Sequence, residues 1–217
     1  MQAPFSALFR LPRRQPGKPL PARPLARKAA LCHEQGHPQR PEPPGHMLRT
    51  KEELLTHLES LGLETGTVTH PPLHTVEESQ AWRRDMAPGG HFKNLFLKDR
   101  NGRLWLIVAL EETRIRLNKL YKRLEGAGRL SFASPELMDE VLGVKPGSVT
   151  PFGLVNDTEK RITPVFDEGL LTHERLYFHP LDNRATTAIS RADFLKFLEA
   201  CGHEARFTAL EEPQSAD

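Results

Sequence analysis

The chain has 217 residues, a net charge of +2 and two cysteines, Cys32 and Cys201, far apart and in no metal-like spacing. That size suits one domain with no need of staples, the cysteine usage suits a reducing cytoplasm, and no apolar run reaches the ~18 residues that cross a membrane. Residues 1–46 hold eight Lys/Arg against two Glu, a net +6, so the other 171 residues carry −4, which excludes a broadly basic nucleic-acid surface and confines any RNA contact to a local patch.

Residues 1–46 also hold ten of the 19 prolines and no hydrophobic periodicity. Such a segment cannot offset the entropy of ordering it, and we read it as a disordered tail. Its alternatives are a transit-like leader, which the prolines oppose, or an upstream stretch preceding a start at Met47. A domain over 47–210 and a short tail over 211–217 complete the expected organisation.

From Leu48 the signals become regular. Thr50-Lys51-Glu52-Glu53 has the capping-box pattern, Leu54, Leu55, Leu58 and Leu61 form an apolar stripe, and Gly62 predicts the stop. A strand is expected near Thr65–His70, broken by Pro71-Pro72. A second capping box, Thr75-Val76-Glu77-Glu78, opens a helix that ends before Pro88-Gly89-Gly90. Phe92–Lys98 and Arg103–Leu110 are β-rich runs whose connection ends in Asn101-Gly102, a strong hairpin signal.

Arg116–Leu124 predicts a helix with Leu117, Leu120, Tyr121 and Leu124 inward. Ser134-Pro135 supplies an N-cap and a proline at the first helical position, and Gly143 closes that helix. Turn-rich β segments fill Gly147–Ile189, a last helix runs from Ser190 to Ala200, and a last strand lies near Glu204–Ala209. The order predicts an α/β fold of the α+β type: one domain with a mixed sheet flanked by helices, not a doubly wound parallel one.

The common enzyme signatures are missing. There is no phosphate-binding or dinucleotide glycine loop, no His-x-x-x-His or Cys-x-x-Cys pair and no Gly-x-Ser-x-Gly elbow. Neither a metal nor a cofactor is expected.

Three stretches stand out. Lys93 begins an otherwise apolar strand, and alternation puts it on the face of Leu95 and Leu97. There its ammonium either meets an anion or snorkels to water. Gly147-Ser148-Val149-Thr150-Pro151 is either a connector or a loop whose amides approach a ligand as an oxyanion hole. His179 ends a β-like run, where an imidazole acts as acid/base or hydrogen-bond donor, or is simply structural.

Together, HPPLHTVEES (70–79), GGHFKNLFLKDRNGRLWLIVAL (89–110), GRLSFASPELMDEVLGVKPGSVTPFGLVNDTEKRI (128–162) and FHPLDNRATTAIS (178–190) resemble the YbaK/ProX family of trans-editing aminoacyl-tRNA deacylases. The resemblance spans roughly 48–208 and is strongest to the ProX branch, because Asn94 follows the lysine. It implies a mixed, strongly curved sheet surrounded by helices, and hydrolysis of tRNA for proline carrying the wrong amino acid, with alanine the usual target.

It further implies that Lys93 engages the phosphate at the 3′ end of the substrate. Asn94 would help to hold the aminoacylated terminus, Gly147 and Pro151 belong to a Gly-x-x-x-Pro loop, and His179 is the site histidine. Ser148 and Phe92 are added here as substrate contacts. Water would attack the ester with help from the ribose hydroxyl, held by His179, while loop amides receive the oxyanion.

Arg114, Arg116, Lys119 and Lys122 are the densest basic cluster in the acidic body; they either grip acceptor-stem phosphates or form a solvated face. The expected partners are the acceptor end of an aminoacylated tRNA and prolyl-tRNA synthetase, with no membrane. The rival readings are a deacylase for Cys-tRNA or another small mischarged residue, and a non-catalytic module that binds tRNA 3′ ends.

Overall fold

Residues 47–71 and 86–211 are described by the computed structural model. The tail expected over 1–46, the capping box at Thr75–Glu78 and residues 212–217 lie outside the described residues. All described residues fall within one unit, Gly45–Asp217.

Thr50 starts α1 (Lys51–Ser60) as its sequence requires: the hydroxyl accepts from Glu53 N and the Glu53 carboxylate accepts from Thr50 N, so two orphan amides are satisfied reciprocally. Leu54 and Leu58 are fully buried, and Gly62 leaves the helix at φ +69°. β1 (Thr65–Thr69) follows. β2 (Gly90–Asp99) and β3 (Leu104–Leu110) then form the expected hairpin. Asp99 holds its turn, accepting from the amides of Asn101, Arg103 and Gly128 and from Arg103 Nε.

α2 is shorter than its leucine spacing predicts, Leu117–Leu120 in place of 116–124. Lys122 N and Arg123 N reach back only three residues, to Lys119 O and Leu120 O, so the α ladder loosens into turns ahead of Gly126 (φ +72°). β4 (Leu130–Phe132) leads to α3 (Pro135–Leu142), with Ser134 capping Leu137 N and Gly143 closing at φ +68°. A 3-10 helix, Pro151–Asn156, precedes β5 (Ile162–Asp167), and another, Glu168–Thr172, precedes β6 (Arg175–Phe178). β7 (Ala185–Ser190), α4 (Arg191–Ala200) and β8 (Arg206–Thr208) end the described fold.

The eight strands form one mixed sheet in the order β1-β7-β6-β2-β3-β5-β8, with β4 also on β2. The α/β class with a mixed sheet and surrounding helices is therefore as the sequence predicts. Even-numbered residues of β2 and β3 (Phe96, Leu106, Val108) face the larger core, which collects Leu54, Leu142, Phe152, Phe166, Phe178, Phe194 and Phe197. Odd-numbered ones (Leu97, Trp105, Ile107, Ala109) face a smaller core closed by Leu120, Leu124, Leu130 and Leu210.

Candidate active site

β2 has one fully used edge and one broken edge. β3 pairs along Phe92–Lys98, whereas the opposite edge carries β6 only at Gly90 and His91 and β4 only at Leu97–Asp99. Between those two partners, among the described residues, the edge is open over 92–96, apart from the bond that Ala133 N makes to Phe96 O. The 147–151 loop is drawn into this gap: Asn94 Nδ2 donates to Val149 O at 3.0 Å.

The loop reaches it through two local devices. Gly147 turns at φ +87°, a conformation that L side chains resist. Thr150 caps the 3-10 helix by accepting from Phe152 N at 3.3 Å, with Pro151 at its first position and Phe152 locked among Phe178, Phe194 and Phe197. Ser148 is buried, and its amide already donates to Lys145 O.

Where β6 parts from β2 a small cavity opens, about 30 Å³. Phe92, Asn94, Phe178 and His179 line it, and Thr186 of β7 closes one side. His91 and Tyr177 also border it, and their rings stack in parallel, 4.6 Å between centroids and 7° between planes. Tyr177 Oη donates to Ala87 O at 2.7 Å.

His179 Nδ1 lies 3.1 Å from Ala185 O. A carbonyl only accepts, so Nδ1 carries the proton, and in the neutral ring Nε2 carries the lone pair. His70 is set by the same logic. Its Nδ1 donates to Pro71 O at 2.8 Å, so its Nε2 accepts from the Thr186 hydroxyl at 2.9 Å and aims that cavity-lining side chain.

Lys93 is not among the lining residues. It shares the odd face with Leu95 and Leu97, as alternation predicts, and stands opposite Ala109 of the smaller core. There its Nζ donates to Glu111 O at 3.0 Å and to Thr113 O, in the turn that follows β3. Burial pushes its pKa down, and the carboxylates of Glu111, Glu112 and Asp167 offset part of that. The ammonium thus ends on backbone carbonyls among acids.

The structure therefore brings Phe92, Asn94 and His179 to one cavity, ties the Gly147–Pro151 loop to it through Asn94, and places Lys93 on the other face of β2. Arg114, Arg116, Lys119 and Lys122 are all exposed, beside and along α2, on the side of the smaller core. Arg123 of the same segment is structural, its Nη1 donating to Ala209 O at 2.8 Å.

Sequence reasoning missed the His70–Thr186 pair and the His91–Tyr177 stack. The available signals were weak: His70 opens one of the quoted motifs, His91 precedes Phe92, and Tyr177 sits two positions before His179. No group of three or more His, Cys, Asp or Glu that could hold a metal occurs among the described residues. No described helix is long and apolar enough to cross a membrane.

Comparison with known proteins identifies the family. The model of the aminoacyl-tRNA editing domain matches residues 70–197. The chain is 40% identical over 158 residues to the prolyl-tRNA synthetase associated domain-containing protein 1 of Mus musculus, covering 71% of this chain and 92% of that one. It is 34% identical over 163 residues to the prolyl-tRNA editing protein ProX of Acetoanaerobium sticklandii, covering 74% and 96%. A solved structure of a candidate trans-editing enzyme for prolyl tRNA synthetase superposes with a TM-score of 0.55 over 75% of this chain and 98% of that one; at 24% identity the likeness is one of fold.

Proposed function

Since the chain belongs to the aminoacyl-tRNA editing domain family and is an aminoacyl-tRNA deacylase of the prolyl-tRNA editing kind, we propose that its substrate is mischarged tRNA for proline, and Ala-tRNA(Pro) in particular. The observation that carries the choice of alanine is the cavity itself: about 30 Å³ beside Phe92 and Phe178. We take this narrow space bordered by aromatic rings to favour the methyl of alanine over the pyrrolidine ring of correctly attached proline. Since one methylene is worth only about 1–3 kcal/mol in a pocket, steric exclusion of proline does more than the fit of alanine.

The aminoacyl ester is activated, so positioning and electrostatics suffice for its hydrolysis. Asn94 keeps the 147–151 loop against β2, which fixes the wall that faces the ester. Ser148 has spent its amide on Lys145 O, so an oxyanion would be received by the amides of Gly147, Val149 or Thr150. His179, oriented through Ala185 O, offers Nε2 to the ribose hydroxyl or to the attacking water. Water adds to the ester carbonyl, the oxyanion collapses, and the ribose oxygen leaves with a proton, releasing the amino acid and tRNA.

Lys93 acts outside this cavity. We assign its ammonium to a phosphate near the 3′ terminus, reached along the other face of β2 when Nζ exchanges the Glu111 and Thr113 carbonyls for phosphate oxygens. Arg114, Arg116, Lys119 and Lys122 would hold acceptor-stem phosphates on that same side. Docking to prolyl-tRNA synthetase and a cytoplasmic location follow from the same reading.

Multiple-turnover hydrolysis of Ala-tRNA(Pro), with Pro-tRNA(Pro) and Cys-tRNA as comparators, is the test. Alanine should be released over many turnovers while Pro-tRNA(Pro) survives. Preferential release of cysteine would replace the substrate, and a stoichiometric complex without turnover would make the protein a binding module.

A further inference from the structure

Phe132 is 63% exposed, the most exposed of the large hydrophobic side chains among the described residues. It ends β4, opposite Leu97 of β2, and is the β4 residue nearest the open stretch of the β2 edge. Its strand neighbours explain nothing about it: Leu130 is buried in the smaller core, and Ser131 bonds Lys98 O. A singly exposed hydrophobe is ordinary on a protein surface, so the weight falls on what surrounds this one.

Its surroundings are basic. α2 packs on β4, and exposed cations stand on the segments beside it: Arg129 just before β4, Arg116 and Lys119 on α2 and at its start. Between Arg114 and Phe132 the sequence holds six Lys/Arg and a single acid, Glu125, in a body that is otherwise acidic. A flat aromatic face amid cations matches the chemistry of a single-stranded nucleic acid, with bases that stack and phosphates that pair.

The distance fits as well. From Phe92 and Asn94 at the cavity to Leu97, which faces Phe132, β2 advances three to five residues, about 10–17 Å. A single-stranded RNA end of a few nucleotides spans that gap. Lys93 lies at the cavity end of that stretch, on the face that Phe132 shares through Leu97.

We propose that Phe132 is a stacking platform for a base in the single-stranded 3′ end of the tRNA substrate, a few nucleotides before the aminoacylated adenosine. This rests on the reading of the cavity as the deacylation site. The strand would run from the basic face of α2 past Phe132 and Lys93, and its terminal nucleoside would enter between Phe92 and His179.

The test uses the full chain and tRNA(Pro) carrying 2-aminopurine at one of the last four positions, together with Phe132→Ala, Phe132→Leu and Phe132→Trp. Stacking should quench one position in the wild type and in Phe132→Trp, and that quench should vanish in the other two variants, with Tm unchanged because the side chain is exposed. Affinity for tRNA should fall about tenfold in Phe132→Ala, with no change in the slope against salt, since no charge is lost. Hydrolysis of alanyl-adenosine, which has no upstream strand, should be equal in all four proteins.

Equal quenching and affinity in wild type and Phe132→Ala would overturn the platform even if the enzyme edits as proposed. Quenching that depends on Phe132 in a protein that releases no alanine would instead sink the cavity assignment and leave the platform standing. Sedimentation velocity supplies the remaining arm: a dimer dispersed by Phe132→Ala would mean that this edge pairs two copies, and the platform would fall.

Discussion

The proposal gives Lys93 and His179 different tasks, and their surroundings differ accordingly. His179 lines the cavity with its tautomer set by a backbone carbonyl, whereas Lys93 is outside that lining and reaches carbonyls in the turn after β3. Their loss should therefore read differently. His179→Ala should lower kcat by roughly 10²-fold, the size expected of a group that moves or orients a proton. Lys93→Ala should lower kcat/KM by a similar factor, chiefly through KM, with the fold intact by circular dichroism. Steady-state kinetics on Ala-tRNA(Pro) separates the two, and an unchanged kcat/KM in the lysine variant would remove it from the reaction.

Two elements hold the site without touching substrate. The Gly147 turn has room for a β-carbon, whose nearest neighbour would be Asn183 Nδ2 at 3.6 Å, so the residue is needed for its φ of +87° and not for space. Gly147→Ala should cost about 1 kcal/mol of stability and a larger share of activity, because the loop must shift from Asn94; thermal melts and deacylation rates on one preparation would show both. The β2–β3 turn depends on Asp99. Burial alone would raise its pKa, but the Gly128, Arg103 and Asn101 amides and the Arg103 side chain outweigh that and bring it from 3.8 to about 2. A depressed carboxylate stabilises the fold fully above its unfolded value and loses that as pH falls through the folded one. The Tm gap between wild type and Asp99→Asn should thus be constant above about pH 4 and close towards pH 2.

Over the whole molecule, the proposed RNA contact rests on a local cluster of charge. Residues 47–217 are acidic in sum, yet one face of the smaller core presents Arg114, Arg116, Lys119 and Lys122. Replacing all four with Gln should flatten the dependence of log affinity on log salt by about 3, as counterion release requires, while alanyl-adenosine hydrolysis stays unchanged. An unaltered slope would assign these cations to solvent.

Element identity was legible because it is written locally. The Thr50 and Ser134 caps, the Asn101-Gly102 turn and the glycines at 62 and 143 act within a few residues, and each stands where the pattern places it. Alternation likewise put Lys93 with Leu95 and Leu97. The length of α2 was not legible, since its leucine spacing continues past the point where the backbone loosens into turns. Nor was the site, for a different reason. Which face of β2 borders a cavity depends on where β6 leaves it, where β4 joins it, and which carbonyls lie within reach of an ammonium. Those are contacts between residues far apart in the chain. The sequence by itself determined the family, the elements and the candidate site residues; only tertiary structure decided that His179 and Asn94 share a cavity that Lys93 does not line, because a strand shows its two faces to different neighbours and periodicity does not say which neighbours those are.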